Sequence, residues 1–271
     1  MSRTIAEKRA RFRQLHESGC FVLPNPWDVG SARMLEHLGF AALASTSAGM
    51  AWTMGRADGQ VSLDEALLHL SALAHATDLP LNADFENAFA DAPADVAANV
   101  ALAVDAGVSG LSVEDYAGDP ARGLYDFDLA VARIAAARQA IDGRGGGVVL
   151  TARSEGFIRG APDMDETLRR LTAFAAAGAD CLYAPGLREE AQIRAVVQAL
   201  APRPVNILSP GLPVETLARL GVRRISLGGA LAGAAWGEAL RAAQEIVEKG
   251  TFMALARGIG GRVLNPMFAA G

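Results

Sequence analysis

The sequence predicts an α/β protein that folds as a single (β/α)8 barrel, also called a TIM barrel. Short apolar, β-branched runs alternate eight times with amphipathic segments along the chain. Continuous apolar runs are typical of strands that are buried on both faces of a parallel sheet. The length of 271 residues suits one barrel domain. An open, doubly wound sheet has the same alternation and stays an alternative at this point.

The predicted strands are short, and a helical pattern follows each of them. Gly107, Gly178 and Gly221 end three of these patterns, as glycine often does after the last turn of a helix. Ser62 with Glu65 three residues later is a capping-box pattern, which predicts the start of a helix. The strands are predicted over Cys20–Pro24, Ala41–Ser45, Leu79–Asp84, Gly110–Glu114, Val148–Arg153, Asp180–Ala184, Val205–Leu208 and Arg224–Leu227.

No linker rich in proline, glycine or serine divides the chain, so we predict one domain. Residues 1–250 are expected to form the barrel, and residues 251–271 to form extra C-terminal helices. The segment after Gly250 is apolar enough to pack on a neighbouring subunit, or to cover its own barrel.

Composition limits the classes of function. The formal net charge of −5 argues against a nucleic-acid partner, which requires a basic face. No apolar run reaches the roughly 18 residues of a membrane span. The charged N-terminus has no apolar core of a secretory signal, so we expect a soluble cytoplasmic protein. Cys20 and Cys181 form no CxxC pair, and neither zinc binding nor a disulfide framework is indicated.

Polar residues are concentrated where the predicted strands end, which is where the active site of a TIM barrel lies. Acids from neighbouring strands that converge on one arginine repel one another, and a bound cation removes that repulsion. Carboxylate ligands without a nearby histidine or cysteine favour Mg²⁺ or Mn²⁺. The strand-end residues are Ser45, Thr46, Ser47, Asp84, Glu86, Glu114, Arg153 and Asn206.

Simpler interpretations exist for several of these positions. Asp84 and Glu86 could cap the next helix, and Arg153 could be only a structural ion-pair partner. Asp28, just before a helical pattern, is predicted to be an N-cap. Gly228–Gly229 could cradle a phosphate or form a plain turn after the last strand.

Hydrolytic chemistry is not indicated by the sequence. Ser45, Thr46 and Ser47 lie in no GxSxG motif. None of the four histidines stands at a predicted strand end, so a histidine general base is not expected. Cys181 lies within a predicted strand and is expected in the core.

Five segments together resemble the isocitrate lyase/phosphoenolpyruvate mutase superfamily. They are STSAGMAWTMGRAD, NADFEN, SVED, TARSE and VNIL, and the resemblance covers nearly the whole chain. It implies a TIM barrel of the phosphoenolpyruvate-binding type. It also implies that Asp58, Asp84, Glu86 and Glu114 surround Mg²⁺, with Asp84 as the direct ligand and the others acting largely through water.

The same resemblance implies how a small anionic carboxylate substrate is held. The backbone N–H groups of Thr46, Ser47 and Ala48 would bind its carboxylate, and Arg153 would contact the substrate. Asn206 matches an asparagine of the seventh strand in that family. Members commonly form homotetramers that exchange C-terminal helices, so a homo-oligomer, either a tetramer or a dimer, is expected.

Two departures from the family pattern affect the expected chemistry. The lyases carry a loop after strand 4 with lysine, cysteine and histidine, whereas Tyr116–Asp126 contains none of them. Pro185 stands near the position of a glutamate of the lyases. Isocitrate or methylisocitrate cleavage by the usual mechanism is therefore not expected, and the gating-loop lysine of the phosphonate-cleaving and mutase members is also missing.

The resulting expectation is an Mg²⁺-dependent lyase acting on a small 2-oxo or 2-hydroxy carboxylate through an enolate. It would cleave a C–C or C–P bond or remove carbon dioxide, with Arg153, Asp58 and Glu114 as catalytic residues. Tyr116, Arg122 and a metal-bound water are candidates for moving the proton. The alternatives are a 2-oxo-acid aldolase or hydroxymethyltransferase, and a carboxylate-binding barrel that has lost catalysis.

Overall fold

The computed structural model describes residues 2–209 and 211–269 and confirms the predicted TIM barrel. Its parallel strands are β1 (Phe21–Leu23), β2 (Leu43–Ala44), β3 (Leu81–Asp84), β4 (Gly110–Glu114), β5 (Val149–Arg153), β6 (Cys181–Tyr183), β7 (Val205–Leu208) and β8 (Arg224–Ser226). They pair in the order β1-β8-β7-β6-β5-β4-β3-β2. The Ala44 N–H donates to the Pro24 carbonyl at 3.0 Å, which brings β2 against the end of β1 and closes the sheet.

Helices surround this sheet, and two of the predicted caps form as expected. The Asp28 carboxylate accepts from the Ser31 N–H at 2.6 Å, and Ser62 forms its capping box with Glu65. The helices are α1 (Ile5–Leu15), α2 (Val29–His37), α3 (Ser47–Thr53), α4 (Leu63–Ala76), α5 (Pro93–Asp105), α6 (Phe127–Asp142), α7 (Met164–Ala176), α8 (Glu190–Leu200), α9 (Val214–Arg219), α10 (Ala230–Lys249) and α11 (Gly261–Ala269), with a 3-10 helix over Met253–Arg257.

The amino-terminal end of the barrel is closed by α1, which the strand and helix patterns did not predict. Arg9 Nε donates to the Val108 carbonyl at 3.0 Å, and Arg13 Nε donates to the Gly147 carbonyl at 3.1 Å. These carbonyls precede β4 and β5. Phe12, on the same helix, is fully buried and packs on the interior of the barrel. Arg9 and Arg13 therefore bind backbone carbonyls on either side of the buried Phe12 ring.

Strand register places one row of polar side chains inside the barrel. Glu114 on β4 pairs with Arg153 on β5, and Arg153 pairs with Tyr183 on β6. Tyr183 pairs with Asn206 on β7, which pairs with Arg224 on β8. Because each pair stands side by side across neighbouring strands, this row of five residues crosses half of the barrel.

The chain continues beyond the barrel into the 3-10 helix and α11. The 3-10 helix lies against α10, and α11 lies against α2 of the same chain. Residues 270 and 271 of the predicted C-terminal segment lie outside the described residues. No helix in the described part of the chain is long and apolar enough to cross a membrane.

Gly110, at the start of β4, is a position where the packing tolerates no side chain. A Cβ atom there would lie 2.5 Å from Phe12 Cε1 and 2.7 Å from Asn82 Oδ1. We expect Gly110→Ala to lower the free energy of unfolding by about 1–3 kcal/mol, since an extra methyl group overpacks a filled interior. Urea denaturation measures this change.

Gly260→Ala is the matched control, because a Cβ atom at Gly260 meets nothing within 4 Å. Its unfolding midpoint should stay close to that of the wild type. A Gly110→Ala variant as stable as this control would contradict the packing described for α1 and β4.

Candidate active site

A cavity of about 480 Å³ opens at the carboxyl end of the barrel. Residues from the ends of β2, β3, β4, β5 and β7 line it, together with a loop that follows α3. The structure brings together every site residue predicted from the sequence: Ser45, Thr46, Ser47, Ala48, Asp58, Asp84, Glu86, Glu114, Arg153 and Asn206.

Arg153 is the centre of the charged network in this cavity. Its Nη1 lies 2.6 Å from Asp84 Oδ1, and its Nη2 lies 3.2 Å from Glu114 Oε2. Its Nε and Nη2 lie 3.0 and 2.8 Å from Glu155 Oε1. Burial opposes the charge of this guanidinium, but Glu155, Glu114 and Asp84 hold its pKa well above the usual range. Arg153 is therefore a fixed positive charge with a defined orientation.

The segment after β2 wraps around the carboxylate of Asp84. The Ser47 N–H donates to Asp84 Oδ2 at 3.0 Å, and the Asp84 N–H donates to Ser45 Oγ at 2.8 Å. Thr46 is the N-cap of α3 and accepts from the Gly49 N–H at 3.2 Å. The amides that the resemblance assigns to a substrate carboxylate thus lie beside the predicted metal ligand.

Glu86 is a carboxylate of this cavity with a buried oxygen that lacks a partner among the described residues. Its backbone has a φ of 46°, in the left-handed region, and Oε1 is buried without a hydrogen-bond partner among the described residues. The pKa of Glu86 is raised to about 7, chiefly by burial and further by the nearby charges of Asp84 and Asp58. A cation beside Glu86 would give its buried oxygen a partner and reduce the repulsion from Asp84 and Asp58.

Glu114 is deeply buried beside Arg153. Its residue is 6% exposed, and this burial raises the pKa of the carboxyl well above its usual range, against the opposing effect of Arg153. Because the guanidinium already bridges Asp84 and Glu114, those two acids do not depend on a metal ion to tolerate each other. The sequence-based argument for a cation is corrected on this point, and it now rests chiefly on Glu86.

The residues present fit a divalent cation that keeps water among its ligands. Five carboxylates surround two guanidinium groups, those of Arg153 and Arg159. Within residues 2–209 and 211–269, no three His, Cys, Asp or Glu side chains converge closely enough to hold an ion by themselves. One direct carboxylate ligand with further acids acting through water is an arrangement that Mg²⁺ commonly takes. The orphaned Oε1 of Glu86 is the atom that this ion would satisfy.

Sequence reasoning missed several residues that line the cavity, among them Arg159 and Asn25. Arg159 lies 3.8 Å above the ring of Tyr116, and its Nε is 3.4 Å from Glu155 Oε2. It stands well past the end of β5, so strand-end position gave no signal for it. Asn25 directly follows the first predicted strand and could have been found by that rule. Its Nδ2 donates to the Ser45 carbonyl at 2.8 Å.

The structure also locates the candidate phosphate-binding turn and two candidate residues for proton transfer. Asn25 Oδ1 accepts from the Gly228 N–H at 2.9 Å, so Gly228–Gly229 forms a turn whose first amide is already bonded. Arg122 pairs with Asp91 at 2.9 Å on the surface and does not line the cavity. Tyr116 lines the cavity and stays a candidate for moving a proton.

Comparisons with known proteins agree with this fold and site. A profile of the phosphoenolpyruvate phosphomutase family matches residues 12–247. An oxaloacetate decarboxylase of Paraburkholderia xenovorans (strain LB400) is 31% identical over 230 residues, which cover 80% of this chain and 74% of that protein.

Solved structures are similar over almost the full chain. A Burkholderia cenocepacia J2315 protein, provisionally described as a lyase/mutase, is 44% identical with a TM-score of 0.94, covering 98% of this chain and 96% of that one. Oxaloacetate acetylhydrolase in complex with its product oxalate is 25% identical with a TM-score of 0.86, covering 97% and 94%.

The chain belongs to the phosphoenolpyruvate phosphomutase family, within the isocitrate lyase/phosphoenolpyruvate mutase superfamily. It is a lyase-type enzyme. The resemblance found in the sequence motifs is confirmed.

The raised pKa of Glu86 makes the stability of the protein depend on pH. In the unfolded chain this carboxyl ionises near its ordinary 4.5, and in the folded protein near 7. The folded state therefore binds more protons between these values, and stability falls as the pH rises from 4.5 to 7. Without divalent ions, we expect Glu86→Gln to match the wild type near pH 4 and to be more stable at pH 8 by roughly 2 kcal/mol.

Urea denaturation at a series of pH values measures this difference. Glu65→Gln is the control with the opposite sign, because hydrogen bonds from Arg56 and Ser62 lower the pKa of Glu65 to about 2. Removing Glu65 should reduce stability above pH 4.5. Equal stability of Glu86→Gln and the wild type at pH 8 would show that the ionised carboxylate of Glu86 does not destabilise the folded protein.

Proposed function

We propose that this enzyme is Mg²⁺-dependent, with Mn²⁺ as a substitute, and acts on a small 2-oxo or 2-hydroxy carboxylate through an enolate. It would cleave a C–C or C–P bond or remove carbon dioxide. The observation that carries the proposal is the fixed guanidinium of Arg153 beside the unpaired carboxylate of Glu86 in one cavity. Relatives that act on oxaloacetate support the same substrate class.

Different residues of the cavity would bind the metal ion and the substrate. Asp84 would be the direct ligand of the ion, with Glu86, Glu114 and Asp58 acting largely through water. When bound, Mg²⁺ supplies positive charge that stabilises an oxyanion developing on the substrate. The backbone amides of Thr46–Ala48 would orient the carboxylate of the substrate.

Arg153 would neutralise the substrate carboxylate or the forming oxyanion. Its planar guanidinium is held at three of its edges by Asp84, Glu114 and Glu155, so the geometry is set before the substrate arrives. A lysine at this position would carry the same charge without that orientation. Asn206 faces the same cavity from β7 and would contact the substrate on another side.

One observation favours the alternative of a barrel that binds a carboxylate without turning it over. The loop after β4 presents Tyr116 to the cavity, and that ring is stacked under Arg159 at 3.8 Å. A proton donor with freedom to move is therefore not evident on that loop. Turnover measurements separate this alternative from catalysis.

We expect turnover of at least one substrate in a panel of oxaloacetate, phosphonopyruvate and 2-methylisocitrate, with Mg²⁺ required. Addition of formaldehyde to a 2-oxo acid tests the aldolase and hydroxymethyltransferase alternative. Identical rates in EDTA would remove the metal from the mechanism. Stabilisation by oxalate with Mg²⁺, but no turnover of any substrate, would favour the binding-only alternative.

Asp84→Asn should reduce Mg²⁺ affinity by about 100-fold or more, because it removes the charge of the direct ligand. Titration calorimetry measures the affinity. Asp105→Asn is the matched control, since Asp105 pairs with Arg144 on the surface, away from the cavity. Unchanged affinity in Asp84→Asn would contradict the assignment of this ligand.

The C-terminal segment supports a second proposal, that the protein is a homo-oligomer. Val247, Phe252 and Met253 are 86%, 63% and 76% exposed in the single chain, a large apolar surface for a monomer. Exchange of α11 between subunits, or packing of this face on a second copy, would cover it. Sedimentation velocity at micromolar concentration should give the mass of a dimer or tetramer, and a monomer would contradict the proposal.

A further inference from the structure

Arg224 is a buried guanidinium on the floor of the cavity. It is the first residue of β8 and is 2% exposed, yet its side chain lines the cavity. Its Nη1 lies 3.4 Å from Nε2 of His16, the C-cap residue of α1. Since α1 covers the opposite end of the barrel, Arg224 lies deeper than Arg153.

The partners of this guanidinium are all neutral. Its Nε donates to Asn206 Oδ1 at 2.8 Å, and its Nη1 donates to Asn82 Oδ1 at 3.3 Å. Burial, followed by the charge of Arg224 itself, lowers the pKa of His16 to about 3, so His16 is uncharged at neutral pH. Among the described residues, no carboxylate lies within ion-pair distance of Arg224 and none bonds its Nη2.

Other arginines of this chain show which partners a guanidinium away from water has. Arg153 contacts three acids, and Arg170 lies 3.1 Å from Asp115. Arg133, 1% exposed, contacts no acid in the described part of the chain, but its guanidinium donates to three backbone carbonyls and does not line the cavity. A charge that is removed from water without a counter-charge is costly, so buried charges in proteins are usually paired. Within residues 2–209 and 211–269, Arg224 has neither an acid nor a backbone carbonyl as partner and faces the cavity, so an anion in the cavity would supply the counter-charge that it lacks.

The groups beside Arg224 are uncharged, and their hydrogen bonds fix the orientation of the guanidinium. Because Arg224 donates to Oδ1 of Asn206, the amide is oriented with Nδ2 towards Ser226, whose Oγ accepts at 3.0 Å. The carboxylates gather higher, at the ends of β3 and β4. The cavity therefore has an acidic side suited to a cation and a positive floor suited to an anion.

We propose that Arg224 forms an anion subsite that receives a second carboxylate of the substrate. The inference rests on the proposed function and narrows its substrate class to acids with a further anionic group, remote from the 2-oxo or 2-hydroxy end. Strand register joins Arg153 to Arg224 through Tyr183 and Asn206 in one row, and both arginines line the same cavity, so one substrate could contact both guanidinium groups.

A pair of stable ligands isolates the second carboxylate. Malate and 2-hydroxybutyrate share the 2-hydroxy acid end, and malate carries a carboxylate where 2-hydroxybutyrate has a methyl group. Titration calorimetry with Mg²⁺ should show malate binding about 10- to 100-fold more tightly to the wild type, as a buried charged hydrogen bond provides. Equal affinities in the wild type would overturn the proposal without any variant.

Arg224→Met should reduce the ratio of the two affinities to within about twofold, and oxalate, which lacks the remote group, should keep its affinity. Arg224→Lys should restore part of the ratio, because it retains the charge. Arg138→Met is the control for loss of an arginine away from the cavity, and it should keep the full ratio. A wild-type ratio in Arg224→Met would overturn the proposal, as would equal weakening of malate, 2-hydroxybutyrate and oxalate.

Failure of the Arg224 subsite can be distinguished from failure of the proposed metal-dependent function. If oxalate binds equally well with Mg²⁺ and with EDTA, the metal-dependent function fails. The ratio of malate to 2-hydroxybutyrate still reports on Arg224, because it compares two ligands under one condition.

Discussion

The site depends on one ionic interaction, the contact of Arg153 with carboxylates at the ends of β3 and β4 and just after β5. Asp84, Glu114 and Glu155 stabilise a guanidinium whose charge is opposed by burial, and the guanidinium allows the three acids to remain close together. Breaking a buried pair of this kind costs about 3–5 kcal/mol, because it leaves the remaining charge uncompensated. The same contacts orient Arg153 towards the cavity, so stability and binding geometry arise from a single arrangement.

A surplus of negative charge remains after this interaction is counted, and it is localised. Glu86 has a buried oxygen without a partner and a pKa raised to about 7. A divalent cation beside Asp84 and Glu86 would satisfy that oxygen and lower the repulsion with Asp58. At the opposite end of the cavity, Arg224 lacks a counter-charge. The two unsatisfied charges have opposite signs, which suits a metal ion and a substrate with two anionic groups.

The sequence predicted the barrel and most of the site for physical reasons that can be traced. Parallel strands buried on both faces leave continuous apolar runs, so all eight strands were found, with ends that differ by at most two residues. Carboxyl ends of the strands meet at one rim, so Asp84, Glu114 and Arg153 could be assigned to one cavity before any coordinates.

The remaining features depend on contacts that no local pattern encodes. The position of α1 at the end of the barrel was not predicted, because no local pattern shows that its arginines bind backbone carbonyls around the buried Phe12. Arg159 reaches the cavity from a loop, and its role appears only when it is seen stacked on Tyr116. Arg224 carries no signal of its own, since only the absence of an acid around it makes it notable.

The central claim is that a divalent cation binds beside Asp84, facing Arg153. Anomalous diffraction from a crystal soaked with Mn²⁺ and oxalate tests it most directly, because the scattering locates the metal independently of activity. The account predicts one anomalous peak in the cavity, within coordination distance of an Asp84 oxygen and with oxalate between the metal and Arg153. A cavity that shows oxalate but no anomalous peak, or a peak bound only outside the barrel, would contradict it.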